Sequence, residues 1–258
     1  MPVALTVLGA IVWRELLRFW QQRSRFFGAL VRPLIWLIVF ASGFRAALGL
    51  SIIPPYETYI TYDVYITPGL VGMIQLFNGM QHSLSLVYDR EMGSMRVLLT
   101  SPHRLSWLLT CRLLAGVVVS VVQVYGFLLI AQLWGVDIPW IGFVSVFPAL
   151  LVTGVLLGAA GMLISSWVNQ IENFAGVMNF VVFPVFFLST ALYPLWKMQE
   201  SSEWLYWVCA VNPFSSAVET LRFALYGQLA LEPALVTLAC AAVLLALAIR
   251  GYRPRQRA

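Results

Sequence analysis

The residues with chemistry to offer are few and clustered. The densest group is the stretch Asp89–Arg104, where two acids, three arginines, His103 and Pro102 interrupt an otherwise apolar chain. Its centre, Glu91 to Leu99, spaces Met92, Met95 and Leu99 as i, i+3, i+7, which is one face of a short helix. Asp89, Arg90, Gly93 and Arg96 surround that face, and Pro102 stops it. A short amphipathic helix between membrane spans has two uses: it lies on the lipid surface or it docks into a partner protein. A plain, positively charged cytoplasmic loop is the third reading.

A second group is Gln75, Asn78, His82 and Ser85, spaced i, i+3, i+7, i+10 and so on one helical face. Polar groups at membrane depth need partners, so this stripe faces protein or water rather than lipid. It either forms hydrogen bonds between helices or lines a path, and Asn179 is a further candidate for that lining. A third pair, Glu219 and Arg222, sits at i, i+3, as an ion pair or as two separate headgroup contacts. Enzymatic chemistry finds no such grouping. Neither His82 nor His103 stands in a ligand cluster, and Cys111, Cys209 and Cys240 show no Cys-x-x-Cys spacing. The sequence has no Gly-x-Ser-x-Gly with a usable histidine and no Gly-x-x-x-x-Gly-Lys-Ser/Thr loop. No catalytic or metal-binding residue is assigned.

The elements that must position these groups are membrane helices. Of 258 residues, 60% are hydrophobic and 10% charged, with a mean hydropathy of +0.84. Soluble domains carry about 25% charged residues. The pI of 9.3 does not point to nucleic acid, because the basic residues sit beside membrane spans. An interfacial helix is expected over 4–25, with Leu5, Leu8, Val12, Leu16 and Phe19 opposed by Arg14, Arg18, Gln21, Gln22 and Arg25. Apolar segments near 33–53, 66–87, 106–134, 140–167, 174–192 and 233–249 are each long enough to span a bilayer. Pro148 should bend or break the fourth, and Gly154, Gly158 and Gly161 allow close helix approach. The stretch 196–226 is too charged to span and reads as an outer re-entrant hairpin, with Asn212 capping a helix that opens on Pro213. The expected fold is thus all-α: one domain over 1–258, a polytopic membrane protein with six transmembrane helices, an N-terminal interfacial amphipathic helix and an outer re-entrant helical hairpin before the last helix. With six spans both termini share the arginine-rich side, which the positive-inside rule makes cytoplasmic. Arginines at 14, 18, 23 and 25 also leave no room for a cleavable signal.

The chain resembles the permease subunit of ABC-2 type exporters. The residues that carry this are Glu91-Met-Gly93, Leu98-Leu99-Thr-Ser-Pro102, Phe186-Phe187-Leu-Ser189 with Tyr193-Pro194, and Asn212-Pro213-Phe214 with Arg222. More narrowly it is similar to permeases encoded beside quinoprotein (PQQ-dependent) alcohol oxidation systems, through 56–65, 89–102 and 173–195. The resemblance implies an inner-membrane homodimer bound to a separate ABC ATPase subunit. On that view ATP and Mg bind the partner, this chain carries no cofactor, and Asp89, Arg90, Glu91, Met92, Gly93, Met95, Arg96, Leu99 and Pro102 form a coupling helix region. Membrane lipid is the other expected partner. On composition alone, a scaffold or channel outside the ABC class fits too.

Overall fold

The computed structural model describes residues 2–21, 23–44, 55–56, 60–93, 103–168 and 170–252. Every extended regular element among them is an α-helix: α1 (Pro2–Gln21), α2 (Arg23–Phe44), α3 (Tyr62–Glu91), α4 (Leu105–Trp134), α5 (Trp140–Trp167), α6 (Ile171–Phe187), α7 (Leu195–Ser201), α8 (Glu203–Val211), α9 (Pro213–Leu225) and α10 (Leu231–Gly251). Met95, Arg96, Leu99 and Pro102 lie outside the described residues.

Three of these helices, α4, α5 and α10, are long and apolar enough to cross a membrane, and shorter apolar runs occupy Leu30–Val39 and Ile171–Phe187. α3 is as long as α4 but more polar. Its burial accounts for the difference. α3 is enclosed by α2, α4, α5, α6 and α9, so its side chains meet protein where a lipid-facing helix would meet hydrocarbon. α5 is the second hub, packed on α3, α4, α9 and α10.

Small residues set the α3–α5 crossing. A Cβ added at Gly161 would stand 2.7 Å from the Gly79 carbonyl oxygen, and one at Gly79 would stand 2.8 Å from that of Leu157. The two backbones are therefore in contact, which only glycine permits. Gly154 faces Val117 and Gln75 instead, and Gly158 has room, with Leu113 at 3.5 Å.

Several boundaries differ from the sequence expectation. The N-terminal helix ends at Gln21, short of residue 25, and α2 begins at Arg23, ten residues before the expected start of the first span. α2 runs through Pro33, and Arg32 inside it lays its guanidinium over the Phe77 ring at 3.9 Å. A proline removes one backbone hydrogen bond, and the face of an aromatic ring accommodates the charge, so neither residue ends the helix. α5 likewise continues unbroken through Pro148. The region from 196 to 226 holds three helices where two pieces were expected, because the chain turns at Ser202 between α7 and α8. α9 starts as its residues dictate: the Asn212 side chain accepts from the Phe214 N–H at 3.0 Å, and Pro213 follows as the first helical residue.

Between α6 and α7 the chain makes an irregular buried turn over 188–194. Ser189, Thr190, Ala191 and Leu192 are all enclosed. Their polar groups are met one by one. Tyr65 and Tyr62 donate their hydroxyls to the carbonyls of Thr190 and Leu192, each at 3.0 Å. Asn212 donates to the carbonyls of Val185 and Leu188, and the Thr190 N–H donates to Ser215 Oγ. Unpaired backbone groups at such a place would cost several kcal/mol each, roughly, in hydrocarbon surroundings.

Candidate functional site

The last turn of α3 joins four other helices. Arg112 of α4 donates to the Asp89 carboxylate in an ion pair. Arg90 donates to the carbonyls of Ser166 and Val168, both at 3.2 Å, at the end of α5. Its guanidinium also lies 4.9 Å from the Tyr252 ring, just beyond α10, and the Tyr252 hydroxyl shares a 2.6 Å hydrogen bond with Ser165. Burial pushes the Tyr252 phenol above its ordinary pKa. The Glu91 carboxylate accepts from the Ile171 N–H at 3.0 Å, so it sits at the start of α6, where a helix dipole favours negative charge. Met92 is exposed, and Gly93 turns the chain out of the helix at φ 71°. Among the described residues, no atom outside its neighbours lies within 4 Å of a Cβ placed on Gly93. It takes the left-handed C′ conformation that ends α3. Asp89, Arg90 and Glu91 thus belong to α3 itself, one element with a 30-residue lever behind it.

The polar stripe divides between two neighbours. Gln75 points at α5, donating to the Leu150 carbonyl at 2.8 Å and accepting from the Thr153 hydroxyl at 2.6 Å. Asn78 turns to α4 and donates to Gln123. Asn78, His82 and Ser85 then line an open cavity of about 770 Å³ between α1, α2, α3, α4 and α6, toward the Gly93 end. Glu15 and Arg18 of α1 and Gln123 of α4 complete its polar wall, and Phe19, Phe174 and Met178 its apolar one. Gln75 is not part of that wall, and Asn179 lies exposed on α6.

At the opposite end, Arg222 is buried, ion-paired with Glu219 at 2.6 Å, and donates to the Thr190 carbonyl of the buried turn at 2.9 Å. Its guanidinium lies 4.0 Å from the Tyr65 ring. Arg222 therefore ties α9 to α3 and to the turn after α6. Nearby Tyr56 is enclosed, and burial pushes its phenol up to about 12.

A family model for the ABC-2 type transporter matches residues 6–226. The chain belongs to the ABC-2 type transporter family. Among curated proteins, a Porphyra purpurea protein named as a transport permease, ycf38, is 28% identical over 226 residues, covering 83% of this chain and 72% of its own length. The ycf38 protein of Cyanophora paradoxa is 26% identical, covering 84% and 73%. An Escherichia coli (strain K12) protein named as a multidrug ABC transporter permease, YbhR, is 27% identical over 169 residues, covering 64% of this chain and 45% of its own. The chain is the transmembrane permease subunit of an ABC transporter, a class whose transport is driven by an ABC ATPase partner.

In this ABC-2 permease, sequence reasoning found Asp89, Arg90 and Glu91 but not what they hold. Arg112 was legible as one of few charges inside an apolar 30-residue helix. Gln123 was legible for the same reason. The carbonyls of Ser166 and Val168 carry no sequence signal at all, since every residue has one. Tyr252 follows the last apolar helix, where an aromatic residue reads as an ordinary interface anchor.

Proposed function

We propose that this permease is the membrane half of an exporter and that the Gly93 end of α3 is where ATP-driven motion enters it. The observation that carries the reading is the set of contacts made by Asp89, Arg90 and Glu91 to α4, α5, α6 and the residue after α10. A push on this turn is felt by four helices at once. Met92, exposed where α3 ends, and Met95 and Leu99 after the turn at Gly93 supply apolar contacts for a cleft on the ATPase, and Arg96 and Pro102 fix register and stop. ATP and Mg bind that partner, and this chain performs no hydrolysis. The Gly93 end is cytoplasmic, six helices cross the inner membrane with both termini inside, and α7 to α9 form a re-entrant cap in the outer leaflet. Two copies form the path, facing each other through the apolar surfaces of α2 and α6, where Ile35, Ile38, Phe180 and Phe183 are exposed. The mass of the detergent-solubilised complex measures this, and a lone chain that transports would oppose it.

The coupling test is co-purification of the ATPase and permease-stimulated hydrolysis with Met92→Asp and Glu91→Lys. Loss of one buried apolar contact should weaken docking by about 1–3 kcal/mol, roughly tenfold or more in affinity. Both variants should insert normally and lose stimulation. Normal binding and stimulation in both would make this turn an ordinary loop. The narrower likeness adds a role beside quinoprotein-dependent alcohol oxidation, and unimpaired growth on alcohol after deletion would remove it.

A further inference from the structure

Two turns from the Gly93 end, α3 and α4 run side by side in opposite directions. Asn78 of α3 donates to Gln123 of α4, and eleven residues along each helix Asp89 pairs with Arg112. Eleven residues is about three turns, so both pairs lie on one seam. Between them the antiparallel register brings His82 opposite Gly116 and Ser120. A Cβ on Gly116 would stand 2.8 Å from the His82 ring, so the imidazole lies directly on the α4 backbone.

Nε2 of His82 and Oγ of Ser120 are both buried and meet no hydrogen-bond partner among the described residues. Ser120 is 3% exposed. Both residues line the same small cavity of about 20 Å³, together with Ser83, Gly154 and Met162. Two buried orphan polar atoms on one seam call for a shared partner, since each left unpaired costs about 1–3 kcal/mol. A cavity needs about 10–15 Å³ by this measure to hold one water and two to four polar partners to keep it. This one has the volume for a single molecule. Ser83, whose own hydroxyl donates to the Gly79 carbonyl at 2.8 Å, leaves its oxygen free to accept.

We propose that this cavity is a binding site for one internal water, held by His82 Nε2, Ser120 Oγ and Ser83 Oγ, which forms the middle rung of the α3–α4 seam. His82 and Gly116 also line the 770 Å³ cavity, so the imidazole is the partition between the two and the route by which the water exchanges. A bridging water keeps polar atoms paired while the helices it joins shift by an ångström or so, which two side chains in direct contact do less readily. The seam thereby has a rigid ion pair at the Gly93 end and a compliant joint two turns away.

The test uses the intact permease with its ATPase partner in lipid nanodiscs, and X-ray radiolysis in H2¹⁸O. Hydroxyl radicals form at bound water and oxidise the nearest reactive side chain. Met162 lines the cavity and is 2% exposed, whereas Met80, 1% exposed, lines none of the cavities described above, so the two are matched in burial. Met162 should take up ¹⁸O severalfold faster than Met80. Uptake no faster than at Met80 would overturn the proposal. Ser120→Val removes the hydroxyl and fills the space, and should bring Met162 down to the rate of Met80 while leaving exposed Met92 unchanged. Unchanged Met162 uptake in a folded Ser120→Val permease would overturn the assignment of Ser120. Where that variant does not fold, the wild-type comparison decides alone.

Discussion

Gly93 sets the path of the chain as it leaves α3, at the turn proposed to couple to the ATPase. Its positive φ is a conformation that a β-branched residue enters only with strain of about 1–2 kcal/mol. Asparagine tolerates it far better. Gly93→Val should therefore redirect the chain leaving α3 and abolish permease-stimulated ATP hydrolysis, while Gly93→Asn retains most of it. Equal activity in the two variants would show that the turn's conformation is irrelevant to coupling. At this scale the sequence shows which residues stand out, and not what they touch. Charges in a greasy chain stand out, so Asp89, Arg90 and Glu91 were visible. Their partners lie 23, 76 and 80 residues away and include backbone atoms, which the fold alone selects.

At the scale of the helix, the α3–α5 crossing makes a sharper statement than its glycine pattern does. Gly154, Gly158 and Gly161 look equivalent in sequence, yet they face a side-chain surface, open room and another backbone respectively. Gly161→Ala forces α3 away from α5, because a carbonyl cannot yield as a side chain can, and should destabilise by about 1–3 kcal/mol. Gly158→Ala should be nearly neutral. Thermal unfolding in detergent separates them, and equal melting temperatures would mean the crossing is looser than drawn. Local rules read helix ends well here. Asn212-Pro213 starts α9, and Gly135 at φ 103° stops α4. Pro148 does not break α5, because a proline inside a packed bundle loses one hydrogen bond without ending the helix. Local rules missed the turn at Ser202, which no glycine or proline marks.

At the scale of the whole molecule, the proposed topology follows from directions. α3 and α5 end, and α4 and α6 begin, around the same cluster of contacts at Asp89–Glu91, while Asp137 and Tyr226 meet at the far end. Cysteines placed singly at exposed Asp137 and exposed Gln170 should react with an impermeant reagent from opposite sides of the membrane. Reaction of both from one side would dismantle the six-span reading. The charge segregation that suggested this arrangement was legible because it sums over many arginines. The burial of α3 was not, since its polar stripe fits a packed helix and a path-lining helix equally well. The structure divides that stripe, with Gln75 in packing and Asn78, His82 and Ser85 at the cavity.

The buried turn over 188–194 also bears on how the chain is made. Its carbonyls rely on Tyr62 and Tyr65, synthesised more than a hundred residues earlier, and on Asn212 and Arg222, synthesised 24 to 32 residues later, and the Thr190 N–H donates to Ser215, also still to come. When α6 first leaves the ribosome, half of what satisfies its far end does not yet exist. That segment has no stable resting place in lipid until α9 follows it. Settling of α6 into its final place is therefore expected to be completed from its C-terminal side, after α9 is made. A chain cut short before Asn212 would leave the earlier helices sound and this one stranded.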